Sequence, residues 1–189
     1  MANCKLNRDR LKSTDCGYSL NQVVEIYLAN YEDVTSVEIG KPASMTGATD
    51  CGMEVTSITM AEGKKFYKIE PNKDSASFTD ALATGDLGSK YRVQTLNFSI
   101  GGAYDPAGVC DIEALSLGRF LAVAKLSSGN YILMGNNVPL EATQADLIGS
   151  AEVTGFNGIQ VVLSANTTES AYPLSEEAIT NLTTPGAGA

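Results

Sequence analysis

Tyr91-Arg92-Val93-Gln94-Thr95-Leu96-Asn97-Phe98-Ser99-Ile100 is followed by Gly101-Gly102, by a segment from Pro106 to Leu115, and by two apolar runs, Arg119 to Lys125 and Tyr131 to Met134. The first run alternates, with Tyr91, Val93, Thr95, Asn97 and Ser99 on one face and Leu96, Phe98 and Ile100 on the other, which is the period of a strand. The glycine pair stops it. Pro106-Ala107-Gly108 leads into Val109-Cys110-Asp111-Ile112-Glu113-Ala114-Leu115, where Val109, Ile112 and Leu115 recur at helical spacing and predict one helix covering a sheet. Ser127-Ser128-Gly129-Asn130 is turn chemistry, so the two apolar runs around it read as a tight hairpin. One helix beside antiparallel strands is a building block and not a reaction centre.

Working outward, Gln22 to Tyr31 is rich in β-branched and aromatic residues and reads as a strand that Glu32-Asp33 turns into Val34 to Ile39, a first hairpin. A helix from Leu20 to Asn30 is the competing reading, because Leu20, Val23, Val24, Tyr27 and Leu28 also fit helical spacing. Lys41 to Asp50 reads as a loop, and Glu54 to Met60, Lys64 to Glu70 and Ser75 to Thr79 as strands. From Asp80 to Lys90 the chain reads as an 11-residue connection with two glycines, longer than ordinary hairpin loops of about 2–5 residues. Val138-Pro139-Leu140 starts a new segment, Ala151 to Thr154 reads as a short strand, and Asn157-Gly158 turns the chain into a strand from Ile159 to Ala165. The domain reading is an N-terminal arm over 1–20, a β-rich domain over 21–165 and a C-terminal tail over 166–189, with a one-turn helix possible at Glu176 to Ile179. Many short strands and one helix predict a mainly β fold, an antiparallel β-sandwich or half-barrel with one flanking α-helix.

The chain has 189 residues and a formal charge of −9, with no histidine. Its length supports a core without staples, because a domain near this size buries roughly 70% of its unfolded surface. Its acidity argues against a sequence-independent phosphate binder. Charge is unevenly placed: Lys5, Arg8, Arg10 and Lys12 crowd the start, and nothing after Lys125 is basic. Such a dipolar chain suits contact between unlike faces of identical subunits, while an ordinary solvated surface is the plainer explanation. Cys4, Cys16, Cys51 and Cys110 form no CxxC pair and read as reduced thiols, and the start of the chain lacks the apolar core of a signal peptide. No run is long enough to span a bilayer as a helix, so a soluble protein made in the cytoplasm is expected.

Without histidine, Ser-His-Asp and Cys-His arrangements are absent, and neither GxGxxG nor GxxxxGK[ST] occurs. Carboxylate pairs at Glu32-Asp33 and Glu176-Glu177 are the residual candidates for glycoside hydrolysis, with no tryptophan to supply a sugar platform. Oxygen ligands for calcium exist at Asp105, Asp111 and Glu113, or at Asp80 and Asp86, without EF-hand spacing. The Asn-x-Ser/Thr sequences at Asn97, Asn166 and Asn181 read as chance matches. The expectation is no enzyme, no cofactor and no metal.

From Lys64 to Ser164 the order of strands, long loop, strand, single helix and hairpins resembles that of tail tube proteins of long-tailed bacteriophages. Phe66-Tyr67-Lys68-Ile69, Tyr91 to Phe98, Gly129 to Gly135 and Gly155-Phe156-Asn157-Gly158-Ile159 look like segments of virion structural proteins from Bacteroidetes-type phages. The resemblance implies a homo-oligomer: stacked, hexameric rings whose inner strands close a barrel around an acidic lumen that passes double-stranded DNA without binding it. It implies a subunit interface on the long loop, at Phe78, Asp80, Leu82, Asp86, Leu87 and Lys90, and on the arm, at Lys5, Arg8 and Arg10. Other tail or head-tail proteins are the further partners implied, in a virion assembled in the host cytoplasm with no membrane contact. A head-tail joining ring, a tail terminator or a capsid-associated protein stays open beside the tube, and so does a secreted β-sandwich binding module.

Overall fold

The computed structural model describes residues 22–42, 52–86, 88–102, 104, 106–152 and 155–182. Its strands are β1 (Val23–Asn30), β2 (Val34–Gly40), β3 (Glu54–Met60), β4 (Tyr67–Ile69), β5 (Ser77–Thr84), β6 (Lys90–Gly101), β7 (Arg119–Leu126), β8 (Tyr131–Met134), β9 (Leu140–Ile148), β10 (Gly158–Thr167) and β11 (Tyr172–Pro173). The helices are α1 (Pro106–Leu117) and α2 (Glu176–Asn181). The fold is mainly β and antiparallel, with α1 on its flank, as the alternating runs led one to expect.

β7 is the centre. One edge pairs with β1, which carries β4 beyond it; the other pairs with β8 and then, through Arg119 and Phe120, with the start of β9. β8 and β9 share that edge because the chain kinks at Gly135, whose φ of 81° favours glycine and whose absent Cβ would stand 2.8 Å from the Phe120 carbonyl oxygen. β9 then leaves β7 and pairs with β10, and β6 and β5 follow, so one continuous sheet folds over into two layers. Between the layers lies a first core of Ile26, Leu28, Leu96, Phe98, Phe120 and Val161 with their neighbours, closed by Leu115 of α1. On the opposite face of β1 and β7 a second core gathers Tyr27, Val55, Phe66, Leu121, Val123 and Leu174 beneath the β2–β3 hairpin and α2.

Residues 23–30 are a strand because both edges of β1 are used and its side chains alternate between the two cores, Ile26 and Leu28 against Tyr27 and Ala29. The expected first hairpin does not form. Tyr31–Asp33 is a single helical turn that hands the chain to β2, and β2 pairs with β3, since β1 already has β4 and β7 as partners. The β7–β8 hairpin stands as expected, with Gly129 N–H donating to Leu126 O and Leu126 N–H donating to Asn130 O. Three further expectations are corrected. Only Tyr67–Ile69 of the run 64–70 is strand. Ala151 and Glu152 lie in bends, and the strand that pairs with β10 is β9, residues 140–148. Residues 166–182 of the expected tail are part of the fold, while 183–189 lie outside the described residues: β10 runs to Thr167, β11 pairs with β8, and Leu174, Ala178 and Leu182 are buried in the second core. Apolar residues are few there, but Leu174, Ala178 and Leu182 face inward with Tyr172 and Ile179 packed beside them, and Ser175 caps α2 by accepting from Ala178 N–H at 3.2 Å.

Two polar groups fasten this frame. Gln94 is 2% exposed; its Oε1 accepts from Gly135 N–H at 2.9 Å and its Nε2 donates to Glu169 O at 3.2 Å, tying β6 to the kink and to the segment before β11. Glu25 accepts from Tyr27 Oη at 2.8 Å and Lys125 Nζ at 3.0 Å and faces Lys68 Nζ at 3.1 Å, which locks β4, β1 and β7 in register. Burial pushes the Glu25 carboxyl up, but the hydrogen bonds from Tyr27, Lys125 and Lys68 outweigh it and hold the carboxyl near 2. Burial and the facing carboxylate push the Tyr27 phenol up to about 12.

Replacing Gln94→Leu should destabilise the fold by about 2–4 kcal/mol in chemical denaturation, because a buried N–H and a half-buried carbonyl lose their partners; a cost within about 0.5 kcal/mol, the range of an ordinary surface substitution, would contradict the fastening role. Glu25 has a depressed folded pKa, so its contribution is present above the ordinary value of 4.5 and is lost as pH falls toward about 2. Glu25→Gln should therefore be less stable by on the order of 1–2 kcal/mol at neutral pH, with the gap closing as acid is added. A gap that stays constant from neutral pH down to the acid transition would count against the network.

Candidate assembly surface

The second layer, β9–β10–β6–β5, presents an outer face that register fixes residue by residue. Ser99 stands opposite Gln160, Asn97 opposite Val162 and Thr95 opposite Ser164, while Thr95 also faces Thr79 and Gln160 faces Asp146. The face is small and polar: Thr95 Oγ1 and Ser164 Oγ lie 3.4 Å apart, and Asn97 Nδ2 donates to Ser77 Oγ at 3.4 Å. No lysine or arginine stands among these opposed pairs, and Asp146 at one side supplies a negative charge. A surface of this kind offers a polyanion no cationic group to hold.

The two margins of that sheet differ. Among the described residues β5 pairs with β6 alone, so no described strand takes up its far edge along Ser77–Thr84. β9 is covered beyond its contact with β7, because α1 packs against it and Tyr104 Oη donates to Ile148 O at 2.5 Å.

The structure redistributes the expected interface residues. The long loop is not there: β5 extends to Thr84 and β6 begins at Lys90, leaving a connection over 85–89, because β5 stays in unbroken register with β6 from Ser77 to Thr84. Phe78 is part of the fold, half-buried against the first core opposite Leu96. Asp80 is committed internally. Its Oδ1 accepts from Arg92 Nε at 2.7 Å, its Oδ2 accepts from Ala171 N–H at 2.9 Å, and Arg92 Nη2 reaches its carbonyl at 2.9 Å. Leu82 is 62% exposed on the β5 edge strand, Asp86 is exposed in the turn, and Lys90 opens β6 opposite Thr84. Leu87, Lys5, Arg8 and Arg10 lie outside the described residues.

The other candidates fare as follows. Glu32 pairs with Arg119 and Asp33 with Lys64, so these neighbouring carboxylates face separate cations. Asp80 is held by Arg92, Asp111 and Glu113 are exposed on α1, and Asp105 lies outside the described residues. Among the described residues no three metal-binding side chains cluster, and no helix is long and apolar enough to cross a membrane. Cys110 is exposed on α1, and Cys4, Cys16 and Cys51 lie outside the described residues. Val109 does not cover the sheet as its spacing predicts: it is 47% exposed, and Ile112 and Leu115 make the contact. Sequence reasoning missed Gln94, Glu25 and the β9 residues Gln144 and Asp146; the alternation Glu25, Tyr27, Ala29 was the available signal for Glu25. Comparison of the chain with protein-family models, curated proteins and solved structures finds no match.

Proposed function

We propose that this chain is a ring-forming structural subunit of the phage tail-tube type, a virion protein whose rings stack around an acidic, DNA-conducting lumen. The observation that carries this reading is the second layer: a four-stranded sheet whose opposed outer pairs include no basic side chain, with one margin left unpaired and one covered among the described residues. Unlike margins favour heterologous contact, β5 of one subunit against the α1–β9 side of the next, and heterologous contacts that close give rings. The inter-ring role that the resemblance gives to a long loop has no loop here to carry it, so the contact residue on this reading moves to Leu82 on β5. A joining ring, tail terminator or capsid-associated protein would use the same margins in a single ring.

A second reading, a β-sandwich binding module, draws on one feature. An open cleft of about 600 Å³ at the Gly101 end of the same face is lined by Asn97, Ser99, Gln160 and Phe156, neutral hydrogen-bonding groups beside an aromatic ring.

Purified full-length chain should form rings or hollow tubes in negative-stain micrographs, and Leu82→Lys should abolish them while leaving the circular dichroism of the subunit unchanged, because burying an unpaired lysine in that contact carries a desolvation cost. Strictly monomeric wild-type protein at every salt and concentration would sink the ring reading.

A further inference from the structure

The sandwich has a second opening that the assembly reading does not use. Between β4 and α1 lies a cleft of about 420 Å³, lined by Leu28, Ile69, Ile100, Leu115 and Phe120, with Asp111 on its helix side. A groove of that size, apolar in its floor and polar at its rim, is suited to take a few side chains of a partner. β4 forms one wall, and it pairs with β1 alone, so its outer edge offers backbone N–H and C=O groups to an added strand. Lys68 also lines the cleft, but its ammonium is held by Glu25 at 3.1 Å and Glu70 at 2.7 Å.

We propose that this groove is the docking site of the chain's own N-terminal segment, laid along the outer edge of β4 with residues 5–12 over the cleft. Three observations carry it. The first is where the described chain begins. Gln22 is fixed between two elements, its carbonyl accepting from Ser127 N–H at 2.8 Å and its side-chain amide bonded to Asp74, which lies five residues beyond β4. Gln22, the first described residue, therefore stands within side-chain reach of the turn that follows β4.

The second is length. Crossing from β1 past β4 spans two strand spacings, roughly 10 Å, or three to four extended residues, and rising from Val23 to the level of Leu28 takes about six more at roughly 3.3 Å each. The segment reaches the cleft near Lys12, which leaves Lys5 to Leu11 to occupy it.

The third is chemistry. That stretch reads Lys5-Leu6-Asn7-Arg8-Asp9-Arg10-Leu11-Lys12, two leucines for an apolar floor among four basic side chains. The route it takes passes Asp74 and Glu70 and ends at Asp111, which has no cationic partner among the described residues. Long basic side chains lay their methylenes on apolar surface and keep their charge at the rim, which is the arrangement this groove offers.

Hydrogen exchange of the full-length chain tests this. Amides of residues 5–12 should exchange at least about tenfold more slowly than in a synthetic peptide of residues 2–13, at a protection independent of protein concentration. Asp111→Lys should remove that protection, whereas Glu113→Lys, the same charge change on the same helix but off the cleft lining, should retain it. Unprotected amides in the wild type, or protection that Asp111→Lys leaves intact, would overturn the proposal. Protection that grows with concentration would assign the groove to a second copy and overturn the own-chain docking equally.

Discussion

β7 is buried on both faces, and the rest of the molecule is arranged to make that so. Phe120, Ala122 and Ala124 point into one core and Leu121 and Val123 into the other, with five consecutive side chains almost without exposure. A strand with two dry faces needs cover on both sides, and the chain supplies it from opposite ends of the sequence: β6 and β10 over one face, the β2–β3 hairpin and α2 over the other. The alanines at 122 and 124 are small because bulky residues already come from the facing layer, Phe98 and Leu163 among them. The C-terminal helix is therefore structural, since without Leu174, Ala178 and Leu182 the outer face of β7 would lie partly open.

A sheet that folds over into two layers leaves backbone groups at the fold line, and these must be satisfied where water does not reach. Gln94 does this at the β8–β9 kink, where the buried Gly135 N–H donates to its Oε1. Asp80 does the same for the Ala171 N–H while Arg92 neutralises it. Glu25 serves a different end. Its three donors come from β1, β4 and β7, so the charge cluster specifies which residues stand abreast, and a one-residue slip would leave it unpaired inside a half-buried site.

Much of this was legible where alternation was clean. The strand at 91–100, the hairpin around Gly129 and the strand at 159–165 follow from period two and turn chemistry alone. β9 was not legible, and a bulge explains why: the register shifts between Val162 and Leu163, so Leu140, Ala142, Ala145 and Leu147 share a face at spacings of two, three and two. β5 was cut short for another reason. Asp80 reads as a turn residue, and only the Arg92 partner twelve positions on makes it acceptable inside a strand. The segment after Thr167 looked like a tail because composition counts apolar residues without saying where they point. The candidate surface was beyond composition altogether, since it is a property of cross-strand register, and register depends on those same irregularities.

Open strand edges are hazards, and the described residues show how this chain treats each of them. β4 and β11 are kept to three and two residues. β2 is longer but carries two register shifts along its pairing with β3, which twist its free edge away from flatness. β9 lies under α1. β5 alone receives none of these treatments: it is eight residues long, pairs with β6 without a register shift, and carries an exposed leucine where a protective charge would be expected. Among the described residues β5 is thus the long strand edge without a bulge or a cover. The sheet behind it bears no basic side chain on its paired outer positions, so on the ring proposal the face that β5 borders would offer a polyanion no cation to hold.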